Sequence, residues 1–127
     1  MLALHGRRVF LCCMPVDMRK SFDGLSALVI TGLGCDPRSG DAFVFVGKRG
    51  NLLKMLIWDR DGFWCCAKRL ARGRFRLPRL SGADGSLCAV GLSPSDWELL
   101  LEGVVVERSR RLPRWDPQTS LTTPVGA

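Results

Sequence analysis

"AFVFVGKRGNLLKMLIWDRDGFWCCAKRL", residues 42 to 70, decides the fold. It holds three runs rich in strand-forming residues, 42–46, 52–58 and 63–70, joined by two short polar connectors, GKRGN and DRDG. β-Branched and aromatic side chains suit a pleated backbone, and connectors this short turn the chain straight back, so the stretch predicts an antiparallel meander. Asp61 and Gly62 are expected to make the second turn, with Asp59 at its mouth, because both tolerate the positive φ of a type I′ hairpin. Such a hairpin puts Leu52, Leu56, Trp58, Phe63, Cys65 and Ala67 on one face, and Leu53, Met55, Ile57, Trp64, Cys66 and Leu70 on the other. Both faces are apolar. A sheet wetted on one side would alternate apolar with polar, so each face needs a cover.

Working outward, "RRVFLCCM" (7–14) is a further strand-forming run closed by Pro15. "DMRKSFDGLSALVITGLG" then puts Met18, Phe22, Leu25, Leu28, Val29 and Leu33 at helical spacing. It predicts a long helix over about 18–33, with Asp17 as N-cap and Gly34 as stop; Gly24 weakens it, and Ser21 is the alternative start. "RGRFRLP" (73–78) predicts a fourth strand ended at the sheet edge by Pro78, and "LCAV" (87–90) one more short strand. "SPSDWELLLEG" predicts a short second helix over about 94–102, with Ser93 as N-cap, Pro94 in the first helical position, Asp96 closing a capping box and Gly103 as stop. The expected class is therefore α+β: a small antiparallel meander of four to five strands with one long and one short helix. The long helix is expected to cover one face. The other is left to the second helix, the remaining strands, a partner or a second copy.

With 127 residues, 46% hydrophobic and 24% charged, the chain has the composition of one globular domain. Residues 1–106 read as that domain. Residues 107–127 carry prolines and charges with little to bury, and read as a basic disordered tail. The net charge is +7, and 15 of the 19 basic residues are arginine. Guanidinium forks bind phosphates and carboxylates bidentately, so the excess points to a polyanion or an acidic partner. A GC-rich codon preference explains arginine over lysine equally well, but not the net charge. No apolar run approaches the ~20 residues of a membrane span. "RRVFLCCMPV" (7–16) is not read as a signal peptide, since Asp17, Arg19 and Lys20 follow at once and no small-x-small cleavage site is present. A cytoplasmic protein with reduced cysteines is expected.

Several patterns imitate chemistry. Asp59 and Asp61 near Cys65 and Cys66 resemble a metal site, but an EF-hand count from Asp59 puts Phe63 at position 5 and Leu70 at position 12. Adjacent strand cysteines point to opposite faces, so neither Cys65 and Cys66 nor Cys12 and Cys13 can grip one ion. "GKRGN" lacks the spacing of a phosphate-binding P-loop, and His5 is the only histidine. Asp17, Asp23, Asp41 and Asp59 would have to converge to make a two-metal nuclease site, and each has a simpler role as cap, exposed helix residue or turn former. No enzyme activity, metal or cofactor is expected.

The basic residues are the stronger signal. In "KRLARGRFRLPR" (68–79), Arg72, Arg74 and Arg76 recur at period two, which in a strand lines three guanidiniums along one face. Such a row can track phosphates; it also suits a solvated edge strand guarded by charge. A second cluster, Arg108, Arg110, Arg111 and Arg114 with Trp115, lies in the tail.

"PVDMRKSFDGL" (15–25), "GDAFVFVGKRGNLLKMLIWDRDGFWCCAKRLARGRF" (40–75) and "LLLEGV" (99–104) resemble the accessory protein of bacterial insertion sequences of the insertion sequence 66 family, the TnpB-type product of the second open reading frame. The resemblance runs over roughly residues 7–104. It implies a non-catalytic role in transposition beside a separate transposase that performs strand transfer, and it carries over no catalytic residue. Cysteines at 65 and 66, where members commonly have other apolar residues, and the tail after Trp115 are departures. The expected contacts to element DNA, to the transposase, or to both are Arg19, Lys20, Lys68, Arg69, Arg72, Arg74, Arg76, Arg110 and Arg111. The alternative is a protein-interaction module for the transposase without DNA contact, and a homodimer is left open.

Overall fold

All five residues of "AFVFV" are buried, and this explains their place in the structure. The computed structural model describes residues 4–76 and 89–102. Its strands are β1 (Val9–Cys12), β2 (Ala42–Val46), β3 (Leu52–Asp59), β4 (Gly62–Arg69) and β5 (Ala89–Leu92), with helices α1 (Phe22–Thr31) and α2 (Pro94–Glu102). They form one sheet of order β4-β3-β2-β1-β5, with the uninterrupted apolar run at its centre. A strand covered on both faces needs no polar alternation.

The meander β2–β3–β4 is antiparallel as expected, but the sheet is mixed: β1 runs parallel to β2, pairing Val9 with Ala42 and Leu11 with Val44. A parallel neighbour requires a crossover, and α1 supplies it between the two strands. β5 closes the other edge antiparallel to β1, two residues later than the sequence suggests, with Cys12 opposite Ala89.

Each face has its own helix. On one face Leu25 and Val29 of α1 pack with Cys12, Val16, Phe43, Phe45 and Leu56. On the other face Val9, Leu11, Val44, Leu53, Met55 and Ile57 meet Leu100 of α2 and the side chain of Phe75. Cys65 packs with the first group and Cys66 with the second, the opposite-face placement read from the sequence. Cys12, Cys13, Cys35, Cys65 and Cys66 are not in disulfides.

Three local expectations shift. The second hairpin turns at Arg60 and Asp61, with Asp59 paired to Gly62 and Arg60 taking the positive φ of 60°. The register moves by two residues, so the face each side chain occupies is unchanged. α1 starts at Phe22 with Ser21 in the N-cap position, the alternative start and not Met18, because the Asp17 carboxylate accepts from the Arg19 N–H (2.9 Å) and the Asp17 carbonyl from the Lys20 N–H (3.1 Å), forming a separate turn; it ends at Thr31, short of the expected stop at Gly34. Residues 73–76 are not a strand. Gly73, at φ 80°, leads the chain out of the ladder, and Phe75 anchors it in the core. At α2 the expected cap is present: the Ser93 hydroxyl accepts from the Asp96 N–H at 3.1 Å.

Phe43 is 1% exposed at the centre of the sheet, so Phe43→Ala should cost about 3–5 kcal/mol, read as a lower urea midpoint. Ser93→Ala, which removes only the cap, should cost about 1 kcal/mol in the same measurement.

Candidate nucleic-acid interface

Alternate turns of a meander lie at the same end of the sheet, so the β2–β3 turn sits beside the exit of β4. The Gly47–Asn51 turn closes with the Gly47 N–H bonded to the Leu52 carbonyl and the Gly50 N–H to the Gly47 carbonyl, both 3.0 Å. Gly50 takes φ 78°, which leaves Lys48 and Arg49 exposed at the tip. Beyond β4 the chain clasps this turn. Leu70 donates its N–H to the Asn51 carbonyl (2.8 Å), and Phe75 donates to the Gly50 carbonyl (2.7 Å). The aliphatic stem of Arg74 packs over Gly50 so closely that a Cβ there would stand 3.2 Å from Arg74 Cβ.

Phe75 is 4% exposed, whereas Arg72, Arg74 and Arg76 on either side of it are exposed. The three arginines are exposed, but without a β-ladder no strand alternation lines them along one face, and Ala71 and Gly73 are exposed as well. The buried Phe75 side chain anchors the loop that carries them.

Residues 16–20 reach the same end. Val16 donates its N–H to the Val46 carbonyl (2.9 Å), and the Lys54 ammonium donates to the Lys20 carbonyl (2.9 Å). Segments 16–20, 47–51 and 68–76 together carry nine cationic side chains and one carboxylate, Asp17. Asp17 is matched to Arg19, with the Arg19 Nη2 2.8 Å from its Oδ2. Hydrogen bonds from Arg19 hold the Asp17 carboxyl well below the ordinary carboxylate range, and the Arg19 guanidinium is raised in turn.

Lys68 is also engaged, donating to the Leu101 carbonyl of α2 at 3.2 Å. Arg69 is exposed and Lys20 half-buried. Arg110 and Arg111 lie outside the described residues. The structure therefore brings seven of the nine expected contacts to one end and adds two that sequence reasoning passed over, Lys48 and Arg49. Their signal was present in "GKRGN", read from the sequence as a hairpin connector and as no P-loop, but not as a contact; the meander already implied a turn on the same end as the arginines.

The opposite end differs in charge. Segments 7–8, 36–41 and 59–62 carry four arginines and four aspartates. Arg7 bonds to the Gly40 carbonyl (2.7 Å), the Trp58 carbonyl (3.1 Å) and the Asp59 carboxylate (3.2 Å), tying three segments together. Arg8 grips the buried Asp41 with two bonds of 3.0 and 2.8 Å, and this pairing raises its guanidinium above the ordinary value. Asp17, Asp41 and Asp59 are thus each held by a different arginine. Among the described residues no group of three His, Cys, Asp or Glu side chains is placed to hold a metal ion, and no helix is long and apolar enough to cross a membrane.

A mixed five-stranded sheet between two helices, with cations gathered at one end, defines a basic α+β protein. The family described as "IS66 Orf2 like protein" matches residues 7–111, and the chain belongs to it. It is therefore a transposition-associated protein of an accessory family. Two relatives come from Sinorhizobium fredii (strain NBRC 101917 / NGR234). The "Uncharacterized protein y4jC" is 38% identical over 109 residues, 86% of this chain and 89% of its own. The "Uncharacterized protein y4hO" is 37% identical over 97 residues, 76% and 80% of the two chains. No solved structure matches.

Burial against α1 pushes the Cys65 thiol above its ordinary value, so it stays protonated where an ordinary thiol ionises. In a pH series of iodoacetamide labelling read by mass spectrometry, Cys65 should react more slowly than free glutathione at pH 8. Its rate should keep rising at pH values where that of glutathione has levelled.

Proposed function

We propose that the protein binds the DNA of insertion-element ends through its basic end and works there beside a separate transposase. The observation that carries the reading is the charge asymmetry: among the described residues the three segments at this end carry nine cations and one carboxylate, with Lys54 and Glu102 beside them, whereas those at the other end carry four of each. The exposed groups are mainly arginines, whose planar forks take phosphate oxygens two at a time. They sit on two neighbouring segments, Lys48 and Arg49 on a turn, and Arg72, Arg74 and Arg76 on the loop clasped to it. The backbone bonds from Leu70 and Phe75 to Asn51 and Gly50 fasten the loop to the turn, which lowers the backbone ordering cost that a free basic loop would pay. Family membership supplies the setting of transposition. Arg110 and Arg111 add two further positive charges in the sequence beyond the described residues.

Binding of this kind is steep in salt. Each phosphate neutralised on duplex DNA adds about 0.9 to the magnitude of the log-log salt slope. Arg72, Arg74 and Arg76 changed together to alanine should flatten the slope by about 2.7 in fluorescence anisotropy with a duplex carrying an element end. Lys48→Ala with Arg49→Ala should flatten it by about 1.8, while Arg60→Ala at the opposite end should leave it unchanged. Absence of binding at low salt would sink direct DNA contact. If the triple variant instead abolished capture of the purified transposase, an acidic protein surface would be the target.

Asp17 sets a pH dependence. Its folded carboxyl is depressed, so its hold on Arg19 persists above the ordinary carboxylate range and is lost only as pH falls through the lowered value. Between pH 6 and 8 the pair should stay intact and leave DNA affinity flat. Asp17→Asn should free Arg19 and steepen the salt slope by up to about 0.9.

A further inference from the structure

β4 is an edge strand, and among the described residues no strand lies on its outer side. The backbone fixes which of its groups face outward. The bond from the Leu70 N–H to the Asn51 carbonyl makes 51 and 70 a hydrogen-bonded pair, so by alternation 53 with 68, 55 with 66, 57 with 64 and 59 with 62 are hydrogen-bonded too. The even-numbered residues of β4 thus direct their N–H and C=O groups at β3. Phe63, Cys65, Ala67 and Arg69 turn theirs outward. The strand runs eight residues with no proline and no break in register, and Trp64 is 49% exposed on it. An edge this long and regular is a template for another strand.

Its sequence says which strand. β4 begins with two aromatic residues, Phe63 and Trp64, and ends with two cations, Lys68 and Arg69, symmetrically disposed about Cys66. We propose that the protein forms a symmetric dimer in which β4 pairs antiparallel with β4 of a second copy, centred on Cys66. In that register Phe63 lies opposite the partner's Arg69 and Cys65 opposite the partner's Ala67. All four outward residues of each copy then exchange backbone hydrogen bonds. On the α1 face each Phe63 meets a guanidinium, cation against ring, and on the α2 face each Trp64 meets the aliphatic stem of the partner's Lys68, whose ammonium stays at the end of its own α2. Parallel in-register pairing would set cation beside cation. The strand is therefore complementary to its own reverse, as a two-fold interface requires. This inference does not depend on DNA binding.

The register has a chemical signature. Cys66 faces the partner's Cys66 across a non-hydrogen-bonded pair, where Cα atoms stand about 4.5 Å apart, within the roughly 4.4–6.8 Å that a disulfide spans. Mild oxidation with copper phenanthroline should convert the 14.1 kDa chain to a covalent dimer on non-reducing gels. The product should vanish in Cys66→Ser and persist in Cys65→Ser. Sedimentation of the untreated protein should give twice the monomer mass. Ala67→Pro removes an outward N–H but no bond to β3, so it should yield a monomer with an unchanged circular dichroism spectrum. Should that variant fail to fold, Lys68→Glu with Arg69→Glu sets anions on the aromatic faces and should weaken dimerisation about tenfold or more. A monomer at ~100 μM overturns the proposal. A cross-link that survives Cys66→Ser but not Cys65→Ser overturns it equally, since Cys65 meets its counterpart only in a shifted register.

Discussion

Burial of β2 on both faces is the constraint from which the rest follows. Phe43 and Phe45 project to one side, Ala42, Val44 and Val46 to the other, and none is more than 1% exposed. Burying an aliphatic or aromatic side chain of this size is worth roughly 1.5–3 kcal/mol, so the strand stabilises the fold only if both faces are closed. That requirement calls for α1 on one side and α2 with Phe75 on the other. It also puts β2 in the middle, with β3 and β1 shielding its two edges.

A sheet closed on both faces leaves only its ends and outer edges open to other molecules. The two ends divide by charge. At one, arginines are matched by Asp41 and Asp59 and tie β1 to its neighbours; at the other, turns and clasped loops hold cations with a single carboxylate among them. The exposed arginines lie close to core residues, so their placement inherits the stability of the core. Phe75 couples the two most directly.

Much of this was legible in the sequence. The three runs of the meander, the opposite faces of Cys65 and Cys66 and the cap of α2 all rest on local rules, strand alternation and helix-end chemistry. The parallel β1–β2 pair was not legible, because strand order depends on contacts between residues more than thirty apart. The supposed fourth strand failed for a related reason. "RGRFR" has strand-like alternation, but the pull of Phe75 toward the core and the left-handed backbone at Gly73 override it. Lys48 and Arg49 became visible as part of one surface only when the arginine loop was found fastened to their turn. The expectations for the tail, Arg110 and Arg111 included, fall outside the described residues.

The strand order also bears on the sequence of folding events. The meander closes through turns of a few residues, whereas pairing Cys12 with Ala89 must bring together positions separated by about 77 residues, at a correspondingly greater loss of chain entropy. Contacts of such separation form late, so β2, β3 and β4 make the natural nucleus, with β5 and the helix that follows it docking last. The cover over the α2 face is then the layer that departs first under stress. In a cell, that order would make the α2 face the first hydrophobic surface offered to chaperones and proteases.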